Sequence, residues 1–351
     1  MSNVNVVLAH KLDILDKYLR LEANELIFTK SCEFFVDYGD RWERILDEKL
    51  DYEFLTSFLQ QLATRRHQRF NEKYPSLSCE LPPPYLRYRV QAQHESILFN
   101  SDVSICIRIP SNKRFELESF KLSDKLIQQG WNYDLIRQFI RDKKNVLVSG
   151  GTGSGKTSFL NSLMSEIPKE DRVVTIEDSQ ELFIENENRT QIAIPKEEGI
   201  YTYTTAINNA MRLRPDRLFL GEIDIRNTLA FLRVNNSGHE GNLSTLHANS
   251  TEDSINAIIT NSMFSGMNTS REAMLDYIRS AIDFIIQIAR VKRERIIVDI
   301  LNVKEYLKPS LQSSMQVNTQ TYQSNANDKE LYMIAKAEPR IKDTHEWVKS
   351  Y

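Results

Sequence analysis

The chain has 351 residues, 41% hydrophobic and 26% charged, with a formal net charge of −3; this fits about two globular domains and excludes both a disordered chain and an overall basic field for nucleic acid. Its three cysteines, Cys32, Cys79 and Cys106, are too few for a four-cysteine zinc site and exclude a fully paired disulfide framework, which suits a reducing compartment. No apolar run approaches the ~20 residues that span a bilayer, and the start lacks the basic and apolar regions of a signal peptide, so a cytoplasmic address is expected.

Leu8, Leu12, Leu15 and Leu19 recur at helical spacing. Residues 7–22 are therefore expected to form an amphipathic helix, whose stripe must dock on its own domain or on a partner or membrane face. Strand-like runs at 26–28 and 45–46 flank a turn at 37–41. A helix is expected from Asp51 to about Arg66, and the basic residues of 65–69 suit its C-terminal end. Three prolines at 82–84 break the chain, and the alternating run 104–109 reads as a strand stopped by Pro110. Residues 1–110 are thus expected to be an N-terminal α+β domain, and 111–130 a linker. From 131 to 307 strands and helices alternate, which predicts an α/β domain with a mostly parallel sheet. Residues 308–351 form a polar tail, expected to be largely loop or disorder.

The apolar run 145–149 is followed by Gly150, Gly151, Thr152, Gly153, Ser154, Gly155, Lys156 and Thr157, and then by a helix-like stretch from Ser158 to Ile167. Strand, G-x-x-x-x-G-K-[ST], helix is the context of a phosphate-binding loop. Glycines let the backbone wrap and turn its N–H groups inward onto phosphate oxygens, and the helix N-terminus adds its positive dipole end. Lys156 supplies a cation for the β- and γ-phosphates, and Thr157 a hydroxyl for Mg²⁺. Residues 150–158, Ser158 included, are the candidate cradle for ATP. Hydrolysis also needs carboxylates. Two apolar strands end in acids, 172–178 at Glu177 and 217–222 at Glu222, and strand C-terminal ends form the ligand edge of an open α/β sheet. Both are candidates for ordering water or holding Mg²⁺.

Four ordered motifs carry a resemblance. They are the phosphate loop; Thr175-Ile176-Glu177-Asp178-Ser179-Gln180-Glu181-Leu182, similar to an aspartate box; Leu213-Arg214-Pro215-Asp216 leading to Gly221-Glu222, similar to a Walker B approach; and Ser237-Gly238-His239-Glu240-Gly241 running to His247-Ala248-Asn249, similar to a histidine box. In this order, over about residues 85–290, the chain resembles the hexameric traffic ATPases of type IV secretion systems, within the wider secretion and pilus motor superfamily. The resemblance implies a RecA-like core, ATP hydrolysis with Mg²⁺, a homo-hexamer, and a peripheral seat at the inner membrane beside components of a secretion apparatus. It places His239 and His247 near the γ-phosphate; read alone, they match no familiar zinc spacing. It also implies that arginines of the N-terminal domain, here Arg89 and Arg108, reach the phosphates, with Arg212 and Arg214 as further candidates and an Asp216 salt bridge as the plain alternative. Asp224 and Asn227 stand where the family usually has an arginine and a glutamate, with Arg226 as a substitute for the first.

The cysteine count excludes the four-cysteine zinc element of export motors. The Arg212-Leu213-Arg214-Pro215-Asp216 run differs from the acidic approach of retraction motors. A retraction-type motor, a DNA-dependent RecA-like ATPase and a nucleotide-gated binding protein are the alternatives.

Overall fold

The leucines spaced three and four apart near the start lie on one face of helix α1 (Val6–Leu19), and Leu8, Leu12, Leu15 and Leu19 are all buried. The computed structural model describes residues 6–110, 114–194, 201–292 and 294–308. Apart from Lys308, the polar tail expected over 308–351 lies outside them. Two hairpin strands and a third follow α1: β1 (Glu25–Lys30), β2 (Glu33–Asp37) and β3 (Trp42–Leu46). Helix α2 (Tyr52–Arg65) is capped by the Asp51 side chain, which accepts the Phe54 N–H. Strands β4 (Ser76–Glu80), β5 (Arg89–His94) and β6 (Val103–Arg108) complete an antiparallel sheet in the order β3-β2-β1-β6-β5-β4. The apolar stripe of α1 joins Leu55, Phe58, Leu59 and Leu62 of α2 and Leu26, Phe28, Val90 and Ile105 of the sheet in one core. The stripe therefore docks on its own domain.

The segment expected as a linker is structured over much of its length. Strand β7 (Phe120–Leu122) pairs parallel with a later strand and precedes helix α3 (Asp124–Gln128). Leu117, Phe120 and Leu126 are buried in the second half of the molecule. A chain with three core anchors in ten residues belongs to the domain that follows, not to a free connection.

Helix α4 (Tyr133–Arg141) leads to β8 (Val146–Gly150), α5 (Lys156–Met164), β9 (Val173–Glu177), β10 (Arg189–Ala193), α6 (Tyr203–Met211), β11 (Arg217–Leu220), α7 (Thr228–Asn235) and β12 (Leu243–His247). Helices α8 (Thr251–Phe264) and α9 (Arg271–Ala281), strands β13 (Phe284–Val291) and β14 (Glu294–Asn302), and helix α10 (Val303–Tyr306) finish the described chain. The strands run in the orders β10-β9-β11 and β12-β8-β13-β14-β7, parallel except for the β13–β14 hairpin. The two sets meet where Ile223 N–H donates to Thr245 O at 2.8 Å and Thr245 Oγ1 donates to Gly221 O at 2.8 Å. Period-2 alternation sends Leu147 into a core with α6–α9, and Val146 and Val148 into a core with α4 and α5. Helices cover both faces, so the strands read as continuous apolar runs. The expected α/β fold with a mostly parallel, RecA-like sheet is thus what the chain forms.

Candidate active site

Strand β8 delivers the phosphate loop, and two of its glycines are dictated by geometry. A Cβ on Gly150 would lie 2.4 Å from the Ile288 carbonyl oxygen and 2.6 Å from Ser154 Oγ. Gly155, the N-cap of α5, sits in the left-handed region at φ +100°. Lys156 is buried and folds back over the loop, its Nζ donating to the carbonyls of Gly150 and Gly151 at 3.0 Å each. Burial lowers its pKa, and the nearby Glu222 and Glu181 carboxylates oppose that shift. Thr157 and Ser158, in the first turn of α5, are half-buried. Gly151, Thr152 and Gly153 form the exposed tip, and Ser154 is buried beneath it.

Strand β12 lies between β8 and β11, and its register sets His247 opposite Gly150. His247 Nδ1 is 3.2 Å from Lys156 Nζ, and its Nε2 is 3.0 Å from Glu222 Oε1. An ammonium only donates, so Nδ1 accepts and Nε2 carries the proton that it donates to Glu222. Lys156, His247 and Glu222 form one chain across three adjacent strand ends. Burial raises the Glu222 pKa, against the pull of His247 and Lys156.

Glu177, at the end of β9, is buried. Its Oε1 accepts the N–H groups of Glu181 at 2.8 Å and Leu182 at 2.9 Å. Burial nevertheless pushes its pKa up to about 7. Gly221 leaves room for it: a Cβ there would stand 3.2 Å from Glu177 Cγ. The loop that Glu177 clamps is held from its other side by the N-terminal sheet. Arg89 donates to Glu181 Oε1 at 2.7 Å and Asp178 Oδ1 at 3.3 Å. Arg87 donates from Nε to Gln180 O at 3.0 Å and stacks 3.8 Å over the Phe183 ring, while Glu80 accepts the Gln180 N–H at 3.1 Å. A cavity of about 510 Å³ opens beside this contact, lined by Glu80, Glu177, Asp178 and Gln191 among others.

The remaining expectations divide. Arg108 is exposed at the end of β6, directly opposite Arg89 in register. His239 is not brought to the phosphate loop. It lies before β12 begins, where its carbonyl accepts from Asn242 Nδ2 at 2.6 Å, whereas His247 lies at the other end of the same strand. Arg212 and Arg214 are exposed between α6 and the start of β11, also at the edge remote from the loop. Asp216 accepts the Arg172 N–H at 2.8 Å. Arg226 does not substitute toward the loop: its Nε donates to Asp224 Oδ2 at 2.8 Å, and Asn227 accepts the Asp224 N–H at 2.9 Å, so the two departures from the family pattern bond to each other in the turn before α7.

Sequence reasoning missed Arg87, Glu181 and Arg295. Arg87 carried no usable signal, because it lies in a turn before β5 with φ 73°, where strand alternation does not apply. Arg295 of β14 carried none, since strand pairing alone sets it beside Gly155, 2.9 Å from where a Cβ would be.

The chain matches the type II/IV secretion system protein family over residues 92–345. It is similar to the type IV secretion system protein VirB11 of Bartonella henselae, 26% identical over 328 residues, with 83% of this chain and 91% of that protein covered. It is similar as well to the conjugal transfer protein TrbB of Rhizobium radiobacter, 30% identical over 241 residues, with 67% of this chain and 70% of that protein covered. In fold it is similar to the crystal structure of the pilus retraction motor PilT with bound ADP, at a TM-score of 0.63 and 18% identity, covering 87% and 89% of the two chains. With a nucleotide-type loop, two strand-end acids and this sheet order in one chain, the protein belongs to the type II/IV secretion system protein family, as a type IV secretion traffic ATPase.

Proposed function

We propose that the chain hydrolyses ATP to ADP and phosphate in a Mg²⁺-dependent reaction, working as a homo-hexameric motor beside inner-membrane components of a secretion apparatus. The observation that carries the reading is the Lys156–His247–Glu222 chain, which joins the phosphate-loop cation to a strand-end acid. The hexamer and the membrane seat rest on the resemblance and the relatives. Among the described residues no helix is long and apolar enough to cross a membrane.

The donor set suits Mg²⁺. Thr157 offers a hydroxyl and Glu222 a carboxylate, both hard oxygen ligands. Among the described residues no group of three or more His, Cys, Asp or Glu could hold a metal ion. Mg²⁺ generally keeps several waters and binds through substrate phosphates with one or two protein oxygens. Such an ion, when bound, neutralises charge that develops on the transferring phosphoryl group. Lys156 leaves the loop carbonyls for the β- and γ-phosphates, and His247 then reports its departure to Glu222. Glu177, poised near neutral pH, is the base that orders water; a base works best with a pKa near the working pH. Arg89 and Arg108 stand on the sheet that grips the Glu177 loop, so movement of that sheet is coupled to the base.

His247→Ala tests the reading. Phosphate release per site falls by about tenfold or more, while ADP affinity stays within about threefold, because the histidine links groups rather than anchoring phosphate. An equal loss of both, or no hydrolysis by the unaltered chain, contradicts it.

A further inference from the structure

A guanidinium with no acid partner among the described residues lies against the phosphate loop. Arg295 is half-buried on β14, its Cδ and Nε are each 2.9 Å from the site a Gly155 Cβ would occupy, and its guanidinium stacks 4.1 Å from the centre of the Phe115 ring. The Nε is buried and has no hydrogen-bond partner among the described residues. Burial lowers the Arg295 pKa, and so does Arg290, its directly opposite neighbour in the β13–β14 hairpin. Like charges facing each other across a strand pair destabilise it. A half-buried cation with an orphaned donor and a like-charged neighbour is costly unless an anion completes it. Two other half-buried arginines do have such partners: Arg89 pairs with Asp178 and Glu181, and Arg137 with Glu118 and Glu166.

We propose that Arg295 binds the nucleotide directly, pairing with a phosphate oxygen of ATP or ADP on the Gly155 side of the loop. The assignment rests on the phosphate-loop reading above. Phe115 stacks on the guanidinium, and the absent side chain at Gly155 lets the Arg295 stem pack against the loop, so that the terminal amino groups of the fork are the ones offered to a phosphate oxygen. The residue binds and positions the substrate; no bond is made or broken at it. Lysine retains the charge but not the fork that arginine presents to phosphate.

The experiment compares ADP and inorganic tripolyphosphate binding by calorimetry in the unaltered chain, Arg295→Gln, Arg295→Lys and Lys156→Ala, with melting temperatures recorded without ligand. Arg295→Gln is expected to weaken both ligands about tenfold, and Arg295→Lys to recover part of each. Weaker ADP binding with unchanged tripolyphosphate binding overturns the proposal, since the contact is then to the nucleoside. A lower melting temperature with unchanged binding of both ligands also overturns it, since Arg295 then only packs on Phe115. If the glutamine variant does not fold, the lysine variant decides alone: unchanged affinity for both ligands, with the apo melting temperature also unchanged, counts against a forked contact. Failure of the unaltered chain to bind either ligand, or full binding by Lys156→Ala, defeats the nucleotide reading itself and is distinguishable from failure of the Arg295 assignment.

Discussion

Glu177 is buried, accepts two backbone N–H groups and still holds its proton up to about pH 7, against an ordinary value of 4.5. The folded chain thus binds that proton more tightly than the unfolded chain does. Between about pH 4.5 and about pH 7 the folded state carries the extra proton, so this group's contribution to stability falls as pH rises through that window. Glu177→Gln keeps an acceptor oxygen for the loop and removes the titration. The variant is expected to be more stable than the unaltered chain at about pH 8, by on the order of 2 kcal/mol, and the difference should vanish toward about pH 4. Its ATP turnover should fall at least about a hundredfold, the usual scale for losing a general base. Urea titrations at the two pH values, paired with phosphate release, check both halves. At this scale the phosphate loop and both acids were legible in the sequence, because strand, glycines, lysine and helix lie within a few residues of each other. The two histidines were separable in principle. The strand β12 begins after His239 and ends in His247, so they lie at opposite edges of the sheet and only His247 shares an edge with Gly150.

The element that couples the two halves of the molecule is the loop after β9. Its inner side hangs on Glu177 and its outer side on Glu80 and Arg89 of the N-terminal sheet and on Arg87 of the turn before β5. Arg89→Ala removes two of the outer contacts and leaves Glu177 in place. Amide hydrogen exchange at 178–183 is expected to quicken about tenfold or more, with the amides of β9 unchanged. Unchanged exchange in the loop would mean that the sheet does not restrain it. The same scale explains what the sequence hid. Strand β2 escaped notice because the β1–β2 turn is made by Ser31 and Cys32, with Cys32 at φ 58° and no glycine or asparagine to mark it. Strand β7 escaped because three residues show no period, and only its pairing with β14 makes it a strand. Helix α1 and helix α2 were legible, since their apolar spacing is the core itself.

At the scale of the whole molecule, an antiparallel sheet covered by two helices precedes a three-layer α/β body, and the nucleotide-type loop opens at the C-terminal edge of that body. The order of its strands was not legible in the sequence, because nothing local says that β12 lies between β8 and β11. That insertion is what sets His247 between Lys156 and Glu222. Arg108 is exposed at the end of β6, and Arg212 and Arg214 are exposed at the far edge of the sheet, before β11. The measurement that tests the motor most directly is steady-state ATP hydrolysis, with Mg²⁺, across size-resolved fractions of the unaltered chain and of Lys156→Ala. The account predicts activity confined to the ring-sized fraction and absent from every fraction of the variant. Equal specific activity in a monomer fraction, or activity that survives Lys156→Ala, would contradict it.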